Sequence, residues 1–121
     1  MKQTTQKFGL VVSEFHVAPQ TNPVDGLPYH EWLVEGDNVH FTPEALAFMN
    51  DLMQEQNTYY KDLLEGNILD RLKVTPLPTG SFNNYMKSKG KLGGQNKVPR
   101  LANDRKIADA LVDLQRAIPN N

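Results

Sequence analysis

A chain of 121 residues with 39% hydrophobic and 22% charged side chains has the size of one folded domain, which excludes a complete large multi-domain enzyme. It has no cysteine, which excludes disulfides, thiolate zinc sites, iron–sulfur clusters and a cysteine nucleophile. The formal net charge of −1 hides a division: Glu14 to Asp70 holds eleven carboxylates against Lys61 alone, whereas Ser81 to Lys106 holds seven cations against Asp104 alone. Such a division describes either two solvated faces that attract each other weakly or a basic stretch that meets an anion such as phosphate or nucleic acid.

The N-terminal apolar stretch, Phe8 to Val12, is shorter than the core of a signal peptide and is soon broken by Glu14. No run approaches the ~20 apolar residues that span a bilayer. The expectation is a soluble, cytoplasmic protein without a membrane partner. Phe8 to Ala18, rich in Val, Phe and Leu, reads as a strand. Pro19 to Pro28 contains three prolines and Asp25-Gly26, a turn signal, and reads as a loop. Tyr29 to Glu35 alternates around Trp32 and Val34 and reads as a second strand. An antiparallel hairpin pairing Phe15 with Trp32 would gather Val11, Phe15, Val17, Trp32 and Val34 on one face.

Thr42-Pro43-Glu44 is a helix start: a capping hydroxyl, proline at the first helical position and an acid in the first turn. The helix is expected to reach Glu65, with Gly66 as its stop. Its Met and aromatic stripe, which includes Met49, Met53, Tyr59 and Tyr60, reads as core packing. Leu72 to Leu77 reads as a short strand that Pro76 confines to an edge or an end. Phe82 to about Ser88 reads as a short helix with Phe82, Tyr85 and Met86 on one side. Lys89 to Ala102 is an irregular loop, long enough to suggest a function. A last helix, capped by Asn103 or Asp104, buries Ile107, Leu111, Leu114 and Ile118, and Pro119 ends it. The order β-β-α-β-α-loop-α predicts an α+β fold, a small mixed or antiparallel sheet flanked by helices.

The histidines His16 and His30 fall on neighbouring strands near Glu14, Glu31 and Glu35. The expected register sets His16 opposite Glu31 and turns His30 to the other face, so ion pairs or satisfied core histidines are expected and no metal site. The remaining chemical signal is Lys87 to Lys106. Gly90, Gly93 and Gly94 allow backbone N–H groups to approach an anion closely. Lys97 and Arg100 flank Val98-Pro99, and both side chains suit phosphate oxygens. A solvated basic loop accounts for the same residues. A nucleic-acid partner is disfavoured, because no aromatic residue interrupts the basic block and the whole chain is acidic.

Glu31-Trp32, then Phe82, Tyr85 and Met86, then Lys87 to Leu101 (KSKGKLGGQNKVPRL) together resemble the auxin-responsive GH-three family of acyl-acid amido synthetases, in the wording of its bacterial members. The likeness runs from about Gly9 to Leu114, is most specific from Gly90 to Arg100, and corresponds to that family's C-terminal domain alone. It implies a domain of an adenylate-forming ligase that uses ATP and Mg²⁺ to activate a carboxylic acid and then passes the acyl group to an amino acid amine. It implies a mobile lid that carries a catalytic lysine, here Lys97, with Gln95, Gly93, Gly94 and Arg100 beside the nucleotide phosphates. ATP, Mg²⁺ and the acid would be bound mainly by an N-terminal adenylation domain that this chain lacks. Residues 1–7 stand where the end of a preceding helix is expected. On this reading the chain is one small domain, an isolated C-terminal lid that is inactive without its adenylation-domain partner. The alternative is a non-catalytic binding or interaction module that keeps the same fold.

Overall fold

The computed structural model of the chain describes residues 1–36, 40–89 and 98–117. Five helices and three strands follow in the order α1 (Lys2–Phe8), β1 (Val12–Gln20), β2 (Tyr29–Gly36), α2 (Pro43–Gln56), α3 (Thr58–Glu65), β3 (Lys73–Leu77), α4 (Ser81–Ser88) and α5 (Lys106–Ala117). The sheet order is β1-β2-β3, antiparallel between the first two and parallel between the last two. The mixed sheet with helices on both faces is the expected α+β architecture.

Residues alternate between the two faces of a strand, so each strand feeds two cores. Val17, Trp32 and Val34 bury against Met49 and Leu72, with Phe15, Leu46 and Met53 packed around them. Ala18 and Leu33 bury on the opposite face with Leu77, Phe82, Met86, Val98, Ala108 and Leu111. The α2 start is as predicted: Thr42 Oγ1 accepts from the Ala45 N–H at 3.2 Å, and Pro43 opens the helix. Gly66 closes α3, its N–H donating to the Asp62 carbonyl. Pro76 lies in β3, an edge strand, the position in a sheet where proline is tolerated. Gly80, at φ 94°, turns the chain from β3 into α4 in a conformation that side chains rarely adopt.

Several boundaries differ from the sequence expectation. Phe8 ends a helix rather than opening a strand: Gly9, at φ 65°, closes α1, and β1 begins at Val12. Val11 therefore lies outside the sheet and is 69% exposed, not part of the apolar face. The hairpin register is displaced by two residues, with Phe15 opposite Val34, Val17 opposite Trp32 and His16 opposite Leu33 rather than Glu31. A shift of two keeps every side chain on its face. Phe15 and Trp32 still meet diagonally, their rings stacked at 5.5 Å between centroids.

The long helix is broken at Asn57, whose backbone is extended (φ −144°, ψ 99°). Its Oδ1 accepts from the Tyr60 N–H at 3.1 Å and restarts the helix as α3. The break lets α3 fold back until the Tyr60 hydroxyl donates to the buried Asn50 of α2. Burial raises the Tyr60 pKa, against a smaller opposing effect of the Leu72 backbone, so the phenol keeps the proton that it donates. Ile118 and Pro119, the expected end of α5, lie outside the described residues.

Candidate functional site: the loop foot and its cleft

β1 borders β2 on one side only. Its outer edge is occupied by the chain segment Val98–Ala102, which follows the basic loop. The Val17 N–H donates to the Arg100 carbonyl at 2.8 Å, and the Ala102 N–H donates to the Val17 carbonyl at 3.0 Å. Val98 is buried in the α4–α5 core. His16, fully buried, points its Nδ1 at the Pro99 carbonyl at 2.5 Å. Because a carbonyl only accepts, the ring carries its proton on Nδ1. Four anchors thus fix the segment that leaves the loop.

The segment that enters the loop is α4, and it is fixed too. Glu35 of β2, buried beneath α4, accepts from the Phe82 N–H at 2.7 Å and from the Ser13 hydroxyl at 3.2 Å. A carboxylate at a helix N-terminus meets both unpaired amides and the positive end of the helix dipole. α5, which follows the loop foot, is tied to the sheet by Arg105. Its guanidinium binds Glu31 at 2.7 Å and Asp109 at 3.0 Å. Burial works against that charge, but the hydrogen bonds and negative charges of Glu31 and Asp109 outweigh it and raise the Arg105 pKa. Asp104 accepts from the Lys106 N–H at the start of α5.

Arg100 is the predicted site residue that the structure describes. Its side chain is 68% exposed and its guanidinium lies 4.9 Å from the Phe15 ring centroid, with Nε 3.5 Å from Glu14. The other predicted site residues, Gly93, Gly94, Gln95 and Lys97, lie outside the described residues. Arg100 also stands at the rim of an open cleft of about 650 Å³ between β1, β2, the α2–α3 break and the loop foot. Phe15, Trp32, His30, Met53 and Leu101 line it. His30 stacks on Tyr60 at 5.7 Å, and burial lowers its pKa, which keeps the ring neutral near pH 7. His16 and His30 face opposite sides of the sheet. Among the described residues no group of three or more His, Asp or Glu side chains is placed to hold a metal ion.

The supporting residues were not singled out as site residues in the sequence. Glu35 lies 47 positions from Phe82, and His16 lies 83 from Pro99, beyond any local spacing rule. The charge division did carry a trace of them, because Glu14 and Glu31 of the acidic half meet Arg100 and Arg105 of the basic half.

These features define a small two-faced domain whose sheet clamps both ends of a glycine- and lysine-rich loop. The model of the GH3 family C-terminal domain matches residues 1–106, and the chain belongs to that family. Among solved structures it is similar to "GH3.15 acyl acid amido synthetase", at 17% identity and a TM-score of 0.67, over 93% of this chain and 22% of that one. It is likewise similar to "AtGH3.15 acyl acid amido synthetase in complex with 2,4-DB", at 15% identity and a TM-score of 0.66, over 93% and 21%. At these identities the likeness is one of fold. The chain spans about a fifth of the length of those structures. Comparison with curated proteins gave no match. No helix among the described residues is long and apolar enough to cross a membrane.

Proposed function

We propose that this GH3 C-terminal domain is the lid of an ATP-dependent acyl-acid amido synthetase and presents Lys97 to the nucleotide phosphates of a partnering adenylation domain. The observation that supports this reading is the clamp. Glu35 holds the helix that enters the loop, and His16, Val17 and Val98 hold the segment that leaves it. With the residues on both sides of the loop held to the sheet, closure of the domain would bring the basic stretch and the phosphates together.

In the proposed reaction a carboxylate oxygen attacks the α-phosphorus of ATP and pyrophosphate leaves; an amine then displaces AMP from the acyl adenylate. Mg²⁺ would shield the triphosphate, and no cation site for it is derived within this domain. The lid supplies positive charge where negative charge accumulates on the phosphate oxygens. Arg100 suits a phosphate, because its exposed Nη groups have no hydrogen-bond partner among the described residues. Gln95, Gly93 and Gly94 would approach the same phosphates in this reading.

The test is ATP–pyrophosphate exchange by the chain joined to a GH3 adenylation domain. Lys97→Ala should lower exchange by roughly 10²–10³-fold, as for single groups aimed at developing charge, and leave the unfolding midpoint nearly unchanged. An unchanged exchange rate would overturn the assignment of Lys97 and favour a non-catalytic module of the same fold.

A further inference from the structure

Four consecutive residues of β1, Glu14 to Val17, each touch the Pro99–Ala102 segment at a different atom. The Glu14 carboxylate lies 3.5 Å from the Arg100 Nε. The Phe15 ring centroid lies 4.9 Å from the Arg100 guanidinium. His16 donates from Nδ1 to the Pro99 carbonyl at 2.5 Å. Val17 pairs through both backbone groups, its N–H with the Arg100 carbonyl and its carbonyl with the Ala102 N–H. We propose that this stretch of β1 is a cradle that aims the Arg100 guanidinium, and that His16 is its positioning residue, acting through the Pro99 carbonyl. The inference rests on the lid reading and names, within it, what orients the Arg100 phosphate contact.

Of the four, His16 has the side chain on which the aim depends most. The Glu14–Arg100 pair is long and open to water, and such pairs contribute little. The Phe15 ring fixes the plane in which the guanidinium lies but not its direction within that plane. The Val17 contacts are made by the backbone and need no particular side chain. His16 holds a chosen oxygen. The Pro99 ring already fixes φ at that residue, and a hydrogen bond on the Pro99 carbonyl fixes ψ. With both dihedrals set, the chain enters Arg100 in one direction. A fork aimed before the phosphate arrives loses less freedom on contact. His16 is fully buried, and its Nε2 has no hydrogen-bond partner among the described residues. A buried polar atom without a partner costs stability, so the ring is better explained by the oxygen it holds than by packing.

The test is ATP–pyrophosphate exchange by the chain joined to a GH3 adenylation domain. Arg100→Ala should lower exchange by roughly 10–10²-fold, the usual cost of a lost charge-assisted hydrogen bond. His16→Gln, which has no donor where Nδ1 stands, should lower it about fivefold through misplacement of the fork. His16→Asn, whose amide nitrogen can take the place of Nδ1, should restore most of the loss. In the Arg100→Ala background His16→Gln should add less than about twofold, because it acts through Arg100. A purely structural His16 would lower both backgrounds alike. In the native 121-residue chain, which needs no variant, the ¹⁵N resonances of the His16 ring should show the proton on Nδ1 and Nε2 bare. No effect of His16→Gln, equal losses in the two backgrounds, or a proton on Nε2 alone would overturn the proposal. A loss in Lys97→Ala without one in Arg100→Ala would overturn this proposal alone; no loss in either would overturn the lid reading with it.

Discussion

The two faces of the sheet are closed by different means. On the α2–α3 side, packing dominates: the Phe15–Trp32 stack, Val17, Val34 and Met49 meet a helix of 14 residues that begins with a strong cap. On the α4–α5 side the first helix has only 8 residues, too few to be stable by itself. There the sheet reaches across with buried polar groups. Glu35 caps α4, His16 holds Pro99, and Glu31 holds Arg105. The difference follows from the loop. Apolar packing alone fixes a helix loosely about its axis, whereas a directed hydrogen bond fixes a chosen atom. Both faces hold an apolar core, and the face next to the loop foot adds the directed bonds.

The largest effect should come from breaking the packed face. Trp32→Ala removes a ring that is almost wholly buried and should cost roughly 3–5 kcal/mol in denaturant unfolding. A cost below about 1 kcal/mol would mean that the stack contributes little to the core. Breaking the polar face should do less to stability and more to local order. Glu35→Ala strands the Phe82 N–H and should cost about 1–3 kcal/mol. Hydrogen exchange should then accelerate through α4 and leave α2 protected; equal loss in both helices would remove the distinction between the faces. The smallest effect is a pH dependence on the α2–α3 side. Burial lowers the His30 pKa from its ordinary 6.5, so the unfolded chain binds the proton more readily than the folded one. The contribution is fully present above pH 6.5 and is lost as pH falls through the folded value. The urea midpoint should fall between pH 7.5 and pH 5.5 in the native chain, and His30→Gln should flatten that slope. An identical slope in the variant would assign it to other groups.

The local grammar of the chain was legible where a single segment contains its own cause. Thr42-Pro43-Glu44 starts α2 and Gly66 ends α3 for reasons confined to a few residues. The alternation around Trp32 identified β2, and the Phe82, Tyr85 and Met86 side of α4 does pack on its core. The break at Asn57 was missed because the apolar stripe continues through it. The available signal was an amide side chain followed by Thr58, a pair better suited to a cap than to a helix interior. The hairpin register was displaced by two because both registers give the same faces, and the long loop between the strands does not choose between them. Of the candidate site, Arg100 and the loop that contains it were recognised from the wording of the sequence. The clamp beneath them was not.

The sequence by itself determined most of the helices and strands, though not α1 or the break at Asn57, the apolar face of most of them, and the family to which the chain belongs. These properties rest on periodicity, caps and motif wording, all of them local. Tertiary structure decided what the polar residues do. Glu35 could have been a solvated strand residue and His16 a metal ligand; only the approach of Phe82 and Pro99, far along the chain, makes them the supports of a loop. It also decided that Arg100 lies over Phe15 at the mouth of an apolar cleft, because the Val98–Ala102 segment pairs with the outer edge of β1. A hydrogen bond between distant residues exists only once the intervening chain has folded, so no local pattern records it.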